Sequence, residues 1–319
     1  MCQTSPSFSE MIVALAGGVG AAKFLAGLVR AVDPGEVTAV VNVADDETFH
    51  GLHVSPDLDS VTYALGGVNN TQLGWGRAGE SFRTVDELAR FGEATWFRLG
   101  DLDLATHLFR TERLASGQTL TEVTAAIARG FGIVTRIMPV TDDRLRTIVR
   151  AGDPSREYAM QEWFVRERCE PFVESVRFDG VDDARPTRPV IDSIRSADTL
   201  IVCPSNPVIS IGPLLAVRGV RDALIARRDR TVAVSPIVGG KAVRGPAERL
   251  MAPLGIEVSA LGVARLYREF CSTIVIDEID AALQPAIEDL DVRVVVTDTM
   301  MVDVDVATKL AATTIGAMP

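Results

Sequence analysis

The stretch MIVALAGGVGAAKFLAGLVRAV, residues 11–32, decides the fold class. Its first six residues are a continuous apolar run, which is typical of a strand buried on both faces. The glycine turn Gly17–Gly20 follows, and then apolar residues recur at helical spacing up to the Pro34–Gly35 stop. A second apolar run extends from about Val37 to Val43. This β–loop–α–β order predicts a parallel sheet.

The rest of the chain repeats the strand and helix alternation, with one interruption. We therefore predict an α/β protein with a three-layer, mostly parallel sheet and a small antiparallel insertion. The segments 146–152, 156–168 and 173–180 alternate polar and apolar residues between turns, which favours antiparallel strands. The predicted organisation is a flexible N-terminus at 1–10, a core made of 11–143 and 183–319, and the insertion at 144–182.

Composition excludes several classes of protein. Of 319 residues, 47% are hydrophobic, which is too many for a disordered chain. The net charge of −11 argues against broad binding to nucleic acid or to an anionic membrane. The four cysteines (Cys2, Cys169, Cys203 and Cys271) form no CxxC pair, and no apolar stretch is long enough to span a bilayer. We expect a soluble, cytoplasmic protein with reduced thiols.

The glycine turn is the first candidate binding site. Backbone N–H groups of Gly17, Gly18 and Gly20 can approach a phosphate at the positive end of the following helix, and Lys23 adds a charge. The turn matches neither the full dinucleotide fingerprint nor the P-loop. The alternative is a tight turn that only needs a positive φ angle.

Two later strands also end in loops rich in Gly, Ser, Asn and Pro. Because ligands of open parallel sheets sit outside the carboxyl ends of the strands, we expect these loops to line one cleft with the glycine turn. The alternative is that they only connect elements. The residues predicted to face an anionic nucleotide there are Ser205, Asn206, Ser235, Gly239 and Gly240.

Aspartates form the third candidate group. Asp45 follows the second strand, and SPDLDS (55–60) places Asp57 and Asp59 two positions apart. An extended loop would turn both the same way, whereas a turn would separate them. Carboxylates beside a phosphate loop are the ligands that Mg²⁺ takes together with phosphate oxygens. Helix capping or solvated surface is the alternative, and for Asp101 and Asp103 we prefer capping.

Two residues are candidates for contact with a flat ring or an anion. Trp75 lies in a glycine-rich loop, from which it can stack on a ring or merely anchor the loop. Arg98 precedes a predicted helix and can reach the cleft or stay solvated. No GxSxG, HxH or HExxH pattern is present, so neither a serine hydrolase nor a zinc site is indicated.

Taken together, the motifs resemble the 2-phospho-L-lactate transferase family of coenzyme F-420 biosynthesis. The resemblance runs from Ile12 to about Leu310, and its most specific parts are SPDLD (55–59), LGDLDLATH (99–107) and CPSNPVISIGP (203–213). The form GGVGAAKF (17–24) is similar to the actinobacterial branch, whose members act as phosphoenolpyruvate transferases.

The resemblance implies a homodimeric, Rossmann-like, Mg²⁺-dependent enzyme. It would transfer a phosphoenolpyruvyl or 2-phospholactyl group from a guanosine diphosphate-linked donor to the ribityl hydroxyl of the deazaflavin Fo, releasing GMP. Asp45 and Asp57 would hold Mg²⁺, and Asp59 and Arg98 would contact Fo, with Asp59 orienting or deprotonating the attacking hydroxyl. Asp45, Asp57 and Asp59 are thus the predicted catalytic residues.

Two other functions stay open at this point. A nicotinamide-dependent oxidoreductase would share the βαβ unit, but the dinucleotide fingerprint is incomplete. A non-catalytic regulator that binds nucleotide sugars, from a related cytoplasmic family, would share the glycine loop and the SPDLD-like region. Binding of Fo distinguishes the transferase from that regulator.

Overall fold

The computed structural model of the protein describes residues 10–318. The predicted flexible N-terminus therefore lies outside the described residues except for Glu10, and Cys2 lies outside them too.

The chain forms fourteen strands and twelve α-helices within this range. The strands are β1 (Ile12–Ala16), β2 (Val37–Val41), β3 (Glu47–Phe49), β4 (Leu52–Val54), β5 (Arg136–Pro139), β6 (Arg146–Ala151), β7 (Arg156–Ala159), β8 (Val173–Asp179), β9 (Thr199–Val202), β10 (Thr231–Val234), β11 (Ile237–Val238), β12 (Lys241–Ala242), β13 (Thr273–Asp277) and β14 (Arg293–Thr297). The helices are α1 (Gly18–Ala31), α2 (Pro56–Leu65), α3 (Arg83–Arg90), α4 (Asp101–Ala115), α5 (Leu120–Gly130), α6 (Arg188–Ser196), α7 (Gly212–Ala216), α8 (Val220–Ile225), α9 (Ala247–Met251), α10 (Ala260–Tyr267), α11 (Gln284–Glu288) and α12 (Val304–Gly316). Two π-helical segments (Glu162–Arg166 and Pro207–Ile211) and three 3₁₀ turns (Pro34–Glu36, Arg228–Arg230 and Glu278–Leu283) complete the elements.

Seven strands form one parallel sheet in the order β14-β13-β10-β9-β1-β2-β5. All five residues of β1 are buried, as the apolar run 11–16 predicts for a central strand. Helices flank the sheet, and α1 packs closely on α12, where a Cβ at Gly27 would overlap the carbonyl of Ala307. The predicted α/β class with a mostly parallel sheet is confirmed.

The strand order places a crevice beside β1. From β1 the chain proceeds to β2 and β5 on one side, and later to β9, β10, β13 and β14 on the other. Such a switch point leaves an opening at the carboxyl ends of the central strands. The glycine turn after β1 and the loop after β9 border this opening.

A three-stranded antiparallel sheet, in the order β7-β6-β8, occupies part of the predicted insertion. The segment 156–168 is a strand only as far as Ala159. Residues Glu162–Arg166 are π-helical instead, because Trp163 turns inward, is fully buried and donates from Nε1 to the carbonyl of Pro171 at 3.0 Å. The limits 144–182 for a separate unit stay a prediction.

The segment around SPDLDS differs from the expectation. An extended loop was considered for residues 55–60, but α2 already begins at Pro56, soon after β4 ends at Val54. Asp57 and Asp59 therefore lie in the first turn of a helix. Two positions on a helix are about 200° apart, so the two carboxylates point to different surroundings.

Candidate functional site

The glycine turn is packed tightly against an aspartate. Gly18 has φ +72°, and its N–H donates to Oδ1 of Asp57 at 2.8 Å. A Cβ at Gly17 would lie 2.8 Å from Oδ2 of Asp57 and 2.8 Å from Cβ of Ser210. Glycine is thus required at position 17 because the carboxylate and the loop after β9 meet there.

Gly20 and Lys23 have different surroundings. A Cβ at Gly20 would overlap the carbonyl oxygen of Pro204, so this glycine allows α1 to approach the loop after β9. Nζ of Lys23 donates to the carbonyl of Met301 at 3.3 Å. Partial burial and the nearby guanidinium of Arg244 lower the pKa of Lys23. Gly20 therefore has a packing role, whereas Lys23 keeps donors for a ligand.

Three aspartates gather at the end of β2 and the start of α2. Asp57 accepts from Asn42 Nδ2 at 2.9 Å, and Asp46 accepts from Ser55 Oγ at 2.7 Å. Burial, and then the charges of Asp57 and Asp46, hold the pKa of Asp45 well above its usual range. Burial raises the pKa of Asp57 to about 6. Ionising all of these carboxylates together is unfavourable unless a cation lies beside them.

These carboxylates suit a cation that also takes ligands from a substrate. Among residues 10–318, no three side chains of His, Cys, Asp or Glu are placed to hold a metal by themselves. Mg²⁺ needs only one or two carboxylates when phosphate oxygens and water complete its shell. Asp45 fits this requirement, because it is buried and its Oδ1 has no hydrogen-bond partner in the part of the chain described.

Asp59 faces away from this group and pairs with a buried arginine of α4. Arg110 binds both carboxylate oxygens of Asp59, with Nη1 at 3.2 Å from Oδ2 and Nη2 in close contact with Oδ1. Nη1 also lies 3.3 Å from the carbonyl of His53 and 3.2 Å from Nδ1 of His107. Asp57 and Asp59 do not share one direction, because the first turn of α2 separates them, as the alternative to an extended loop predicts.

The same network continues to Tyr63. The hydroxyl of Tyr63 donates to Oδ1 of Asp103 at 2.5 Å. Burial, followed by the charge of Asp59, raises the pKa of Asp103 to about 7, and burial lowers the pKa of His107 to about 4. Neutral His107 accepts from Arg110 at Nδ1, which assigns its proton to Nε2, 3.7 Å from Asp103. Asp103 is therefore part of this network, whereas Asp101 accepts from the N–H groups of Arg83 and Thr84 at the start of α3.

Trp75 and Arg98 meet at a residue that the sequence did not single out. The ring centroid of Phe82 lies 6.1 Å from that of Trp75, and Cζ of Arg98 lies 4.7 Å from the same ring. Arg98 also donates to Asp86 at 2.9 Å. Trp75 is 44% exposed, so the three side chains form an open aromatic and cationic surface.

The loops after β9 and β10 have partly structural contacts. Asn206 accepts from the N–H groups of Val208 and Ile209, while its Nδ2 and the hydroxyl of Ser205 have no partner within the described chain. Ser235 donates to the carbonyl of Ile237 at 3.0 Å.

Gly239 and Gly240 are the turn of the β11–β12 hairpin. Their φ angles are +57° and +75°, as a tight hairpin turn requires. Asp280 accepts from the N–H of Gly239 at 3.0 Å and so anchors this turn. Neither Asp280 nor Phe82 belongs to a motif that the sequence analysis used. Asp280 could still have been identified, because it is an aspartate that follows soon after the end of a strand.

The crevice is therefore bordered by the glycine turn and by buried carboxylates that suit a cation shared with a substrate. The model of 2-phospho-L-lactate transferase CofD matches residues 12–315. The chain belongs to the CofD family. It is 41% identical over 305 residues to a phosphoenolpyruvate transferase of Nocardia farcinica, covering 92% of each chain. It is 40% identical over 304 residues to a phosphoenolpyruvate transferase of Streptomyces griseus, covering 94% of this chain and 96% of that one.

A solved structure supports the fold of this CofD-family chain. A member of the UPF0052 family from Bacillus halodurans superposes with a TM-score of 0.66 at 15% identity, covering 96% of this chain and 98% of that one. At this identity the likeness concerns the fold alone. In the range 10–318 no helix combines the length and the apolar character that crossing a membrane would need.

Proposed function

We propose that this CofD-family protein is a transferase of coenzyme F-420 biosynthesis that joins the deazaflavin Fo to a phosphorylated three-carbon acid. The ribityl hydroxyl oxygen of Fo forms a bond to the phosphorus that carries the acid. The bond from that phosphorus to the bridging oxygen breaks, GMP leaves with this oxygen, and the hydroxyl proton is released. The observation that carries the proposal is the unpartnered, buried Asp45 beside Asp57 at the glycine turn.

Asp45 and Asp57 would hold Mg²⁺ in this site. Bound there, the ion would neutralise charge on the diphosphate and on the departing GMP. Asp57 is kept in place by Gly18 and Asn42, so its position is fixed before the donor binds. Lys23 and the first-turn N–H groups of α1 would bind phosphate oxygens, and the guanosine would lie against the loops of Ser205 and Gly239.

The acceptor would lie on the surface formed by Trp75, Phe82 and Arg98. An exposed indole beside a guanidinium suits a flat, electron-poor ring with polar edges. Asp59 would orient the attacking hydroxyl rather than remove its proton. Both of its oxygens accept from Arg110, so the carboxylate is held in one orientation.

We propose the enolpyruvyl form of the donor in preference to the lactyl form. The relatives from Nocardia farcinica and Streptomyces griseus are named phosphoenolpyruvate transferases, and each covers more than nine-tenths of this chain. The product would then be dehydro coenzyme F-420-0. We further propose that the protein is cytoplasmic and that it forms a homodimer. Sedimentation of the purified protein tests the homodimer.

A single-turnover experiment tests the reaction. Purified protein is mixed with Fo, Mg²⁺ and either the enolpyruvyl or the lactyl donor, and the products are separated by mass. We expect GMP and a deazaflavin product to appear in equal amounts, faster with the enolpyruvyl donor. The Asp45→Asn variant should bind Fo normally and lose turnover. Absence of product with both donors would exclude the transferase.

The regulator remains the second candidate, and one measurement separates it. Fo is fluorescent, so a titration of the protein into Fo reports binding directly. Saturable binding that weakens in Phe82→Ala supports the transferase, whereas no binding of Fo alongside binding of a nucleotide sugar supports the regulator.

A further inference from the structure

A pair of cations lies at the edge of the crevice without an acidic partner. Lys23 of α1 lies near Arg244, in the loop between β12 and α9: burial, and then the charge of Arg244, lower the pKa of Lys23. No carboxylate among residues 10–318 forms an ion pair with either side chain. Glu248, the next acidic residue along the chain, instead accepts from the backbone N–H of Ala242 at 2.7 Å.

Such a pair is unusual in a chain with a net charge of −11. Two like charges held together without a counter-charge raise the free energy of the folded protein. The arrangement becomes favourable when an anion binds between them, and a guanidinium can bind two oxygens of one anion at once.

The position of Arg244 connects the two sides of the crevice. Its guanidinium lies directly on the backbone of Gly74, so that a Cβ at Gly74 would overlap Nη1. Gly74 has φ +77° and precedes Trp75, one of the three residues of the aromatic surface. Lys23, in contrast, follows the glycine turn and donates to Met301. An anion on Arg244 and Lys23 would thus lie between the glycine turn and the Trp75 loop.

We infer that Arg244 and Lys23 together bind an anionic group of the three-carbon donor, and that Arg244 is a specificity-determining residue for this substrate. The inference rests on the proposed function for the identity of the donor. The shared chemistry is a pair of anionic oxygens, supplied either by the diphosphate or by the carboxylate of the acid. Arg244 lies in the loop that follows β12, and the sequence analysis had not singled out its side chain.

Calorimetric titrations of the full chain in a metal-free buffer test the inference without measuring turnover. The probes are GDP, phosphoenolpyruvate and uncharged guanosine. Arg244→Gln and Lys23→Gln should each weaken GDP binding about tenfold, or about 1.4 kcal/mol, and leave guanosine unchanged. Arg244→Lys should be intermediate, because it keeps the charge but not the planar fork.

Two further variants sharpen the test. Gly74→Ala should displace the guanidinium and weaken the same probe as Arg244→Gln. Arg195→Gln is the matched control, because Arg195 is an exposed arginine at the end of α6, near the amino end of β9, whereas the crevice lies at the carboxyl ends of the strands. Its affinity for every probe should stay within about twofold of the wild type.

The outcomes separate this inference from the proposed function. Weaker GDP binding by Arg244→Gln assigns the pair to the diphosphate of the donor. Weaker phosphoenolpyruvate binding with unchanged GDP binding assigns the pair to the carboxylate of the acid. Either result supports the inference. Unchanged affinity for both anions in Arg244→Gln overturns it, even if the wild type transfers its group to Fo. A wild type that binds GDP through Arg244 but gives no product with Fo would leave the anion site standing and remove the transferase.

Discussion

Replacing Arg110 with methionine should destabilise the protein strongly, although it removes only one side chain. Arg110 is 2% exposed, and it neutralises Asp59, which is 6% exposed. The variant leaves Asp59 without its partner in a buried place, next to Asp103 and the neutral His107. Breaking a buried ion pair from one side typically costs about 3–5 kcal/mol, and we expect a loss in that range in the free energy of unfolding.

The assay is urea unfolding at pH 8, with a double-mutant cycle. Replacing both partners, Asp59→Leu with Arg110→Met, should cost less than Arg110→Met alone, because no buried charge is left unpaired. Arg113→Met is the control, since Arg113 lies one turn further along α4 on the exposed side. Its effect should stay within about 0.5 kcal/mol.

The pH dependence gives an independent check. Burial and the charge of Asp59 raise the pKa of Asp103 in the folded protein to about 7, above the unfolded value. The contribution of protonated Asp103 to the free energy of unfolding is therefore fully present below the unfolded pKa and is lost as the pH rises through 7. Arg110 opposes this shift, so Arg110→Met should extend the loss above pH 7 and show a larger deficit at pH 8 than at pH 5. A deficit equal to that of Arg113→Met, or additive single effects in the cycle, would refute the buried ion pair.

Three further perturbations address the site. Asp45→Asn should raise the free energy of unfolding at pH 8 by about 1 kcal/mol in the absence of metal and have little effect near pH 4. The reason is that burial holds the pKa of Asp45 above its usual range, so that its ionisation opposes folding. Mg²⁺ should raise the melting temperature of the wild type but not that of this variant. Gly17→Ala should abolish turnover, since its Cβ would lie 2.8 Å from the Asp57 carboxylate. Gly27→Ala should instead lower the free energy of unfolding by about 1–3 kcal/mol through the α1–α12 contact and leave the turnover of the folded fraction intact. Melting temperatures and steady-state rates of both variants check these outcomes. Phe82→Ala should weaken Fo binding by about 1 kcal/mol and leave GDP binding unchanged in fluorescence and calorimetric titrations.

The central βαβ unit could be predicted because its signals are local. The apolar run 11–16 is typical of a strand buried on both faces, and the glycines after it mark the turn at the crevice. Asp45 could be placed at a strand end for the same reason. These inferences need no knowledge of distant contacts, since the strand, the turn and the helix follow one another directly.

The start of α2 was missed although the sequence contained its signal. Ser55 occupies the N-cap position and Pro56 the first helical position, and acidic residues follow in the first turn. This is the ordinary composition of a helix start, and it separates Asp57 from Asp59. An apolar sequence pattern does not mark where α2 begins, because its first turn carries Asp57 and Asp59 rather than only apolar residues.

Helix α4 shows why the remaining part could not be predicted. Asp103, His107 and Arg110 lie at spacings of four and three, which puts them on one face that a sequence argument assigns to solvent. The structure buries this face and exposes Leu102 and Leu108, by 41% and 58%. Burying charges and exposing leucines opposes folding unless another element supplies the counter-charges. Asp59 of α2 supplies the counter-charge for Arg110, and Tyr63 of α2 donates a hydrogen bond to Asp103. Only the tertiary structure brings α2 and α4 together. Because replacing a buried ion pair with apolar residues of similar volume is often neutral for stability, stability alone does not account for this inverted polarity. The ion pair with Arg110 also holds Asp59 in one orientation, which its proposed contact with Fo requires.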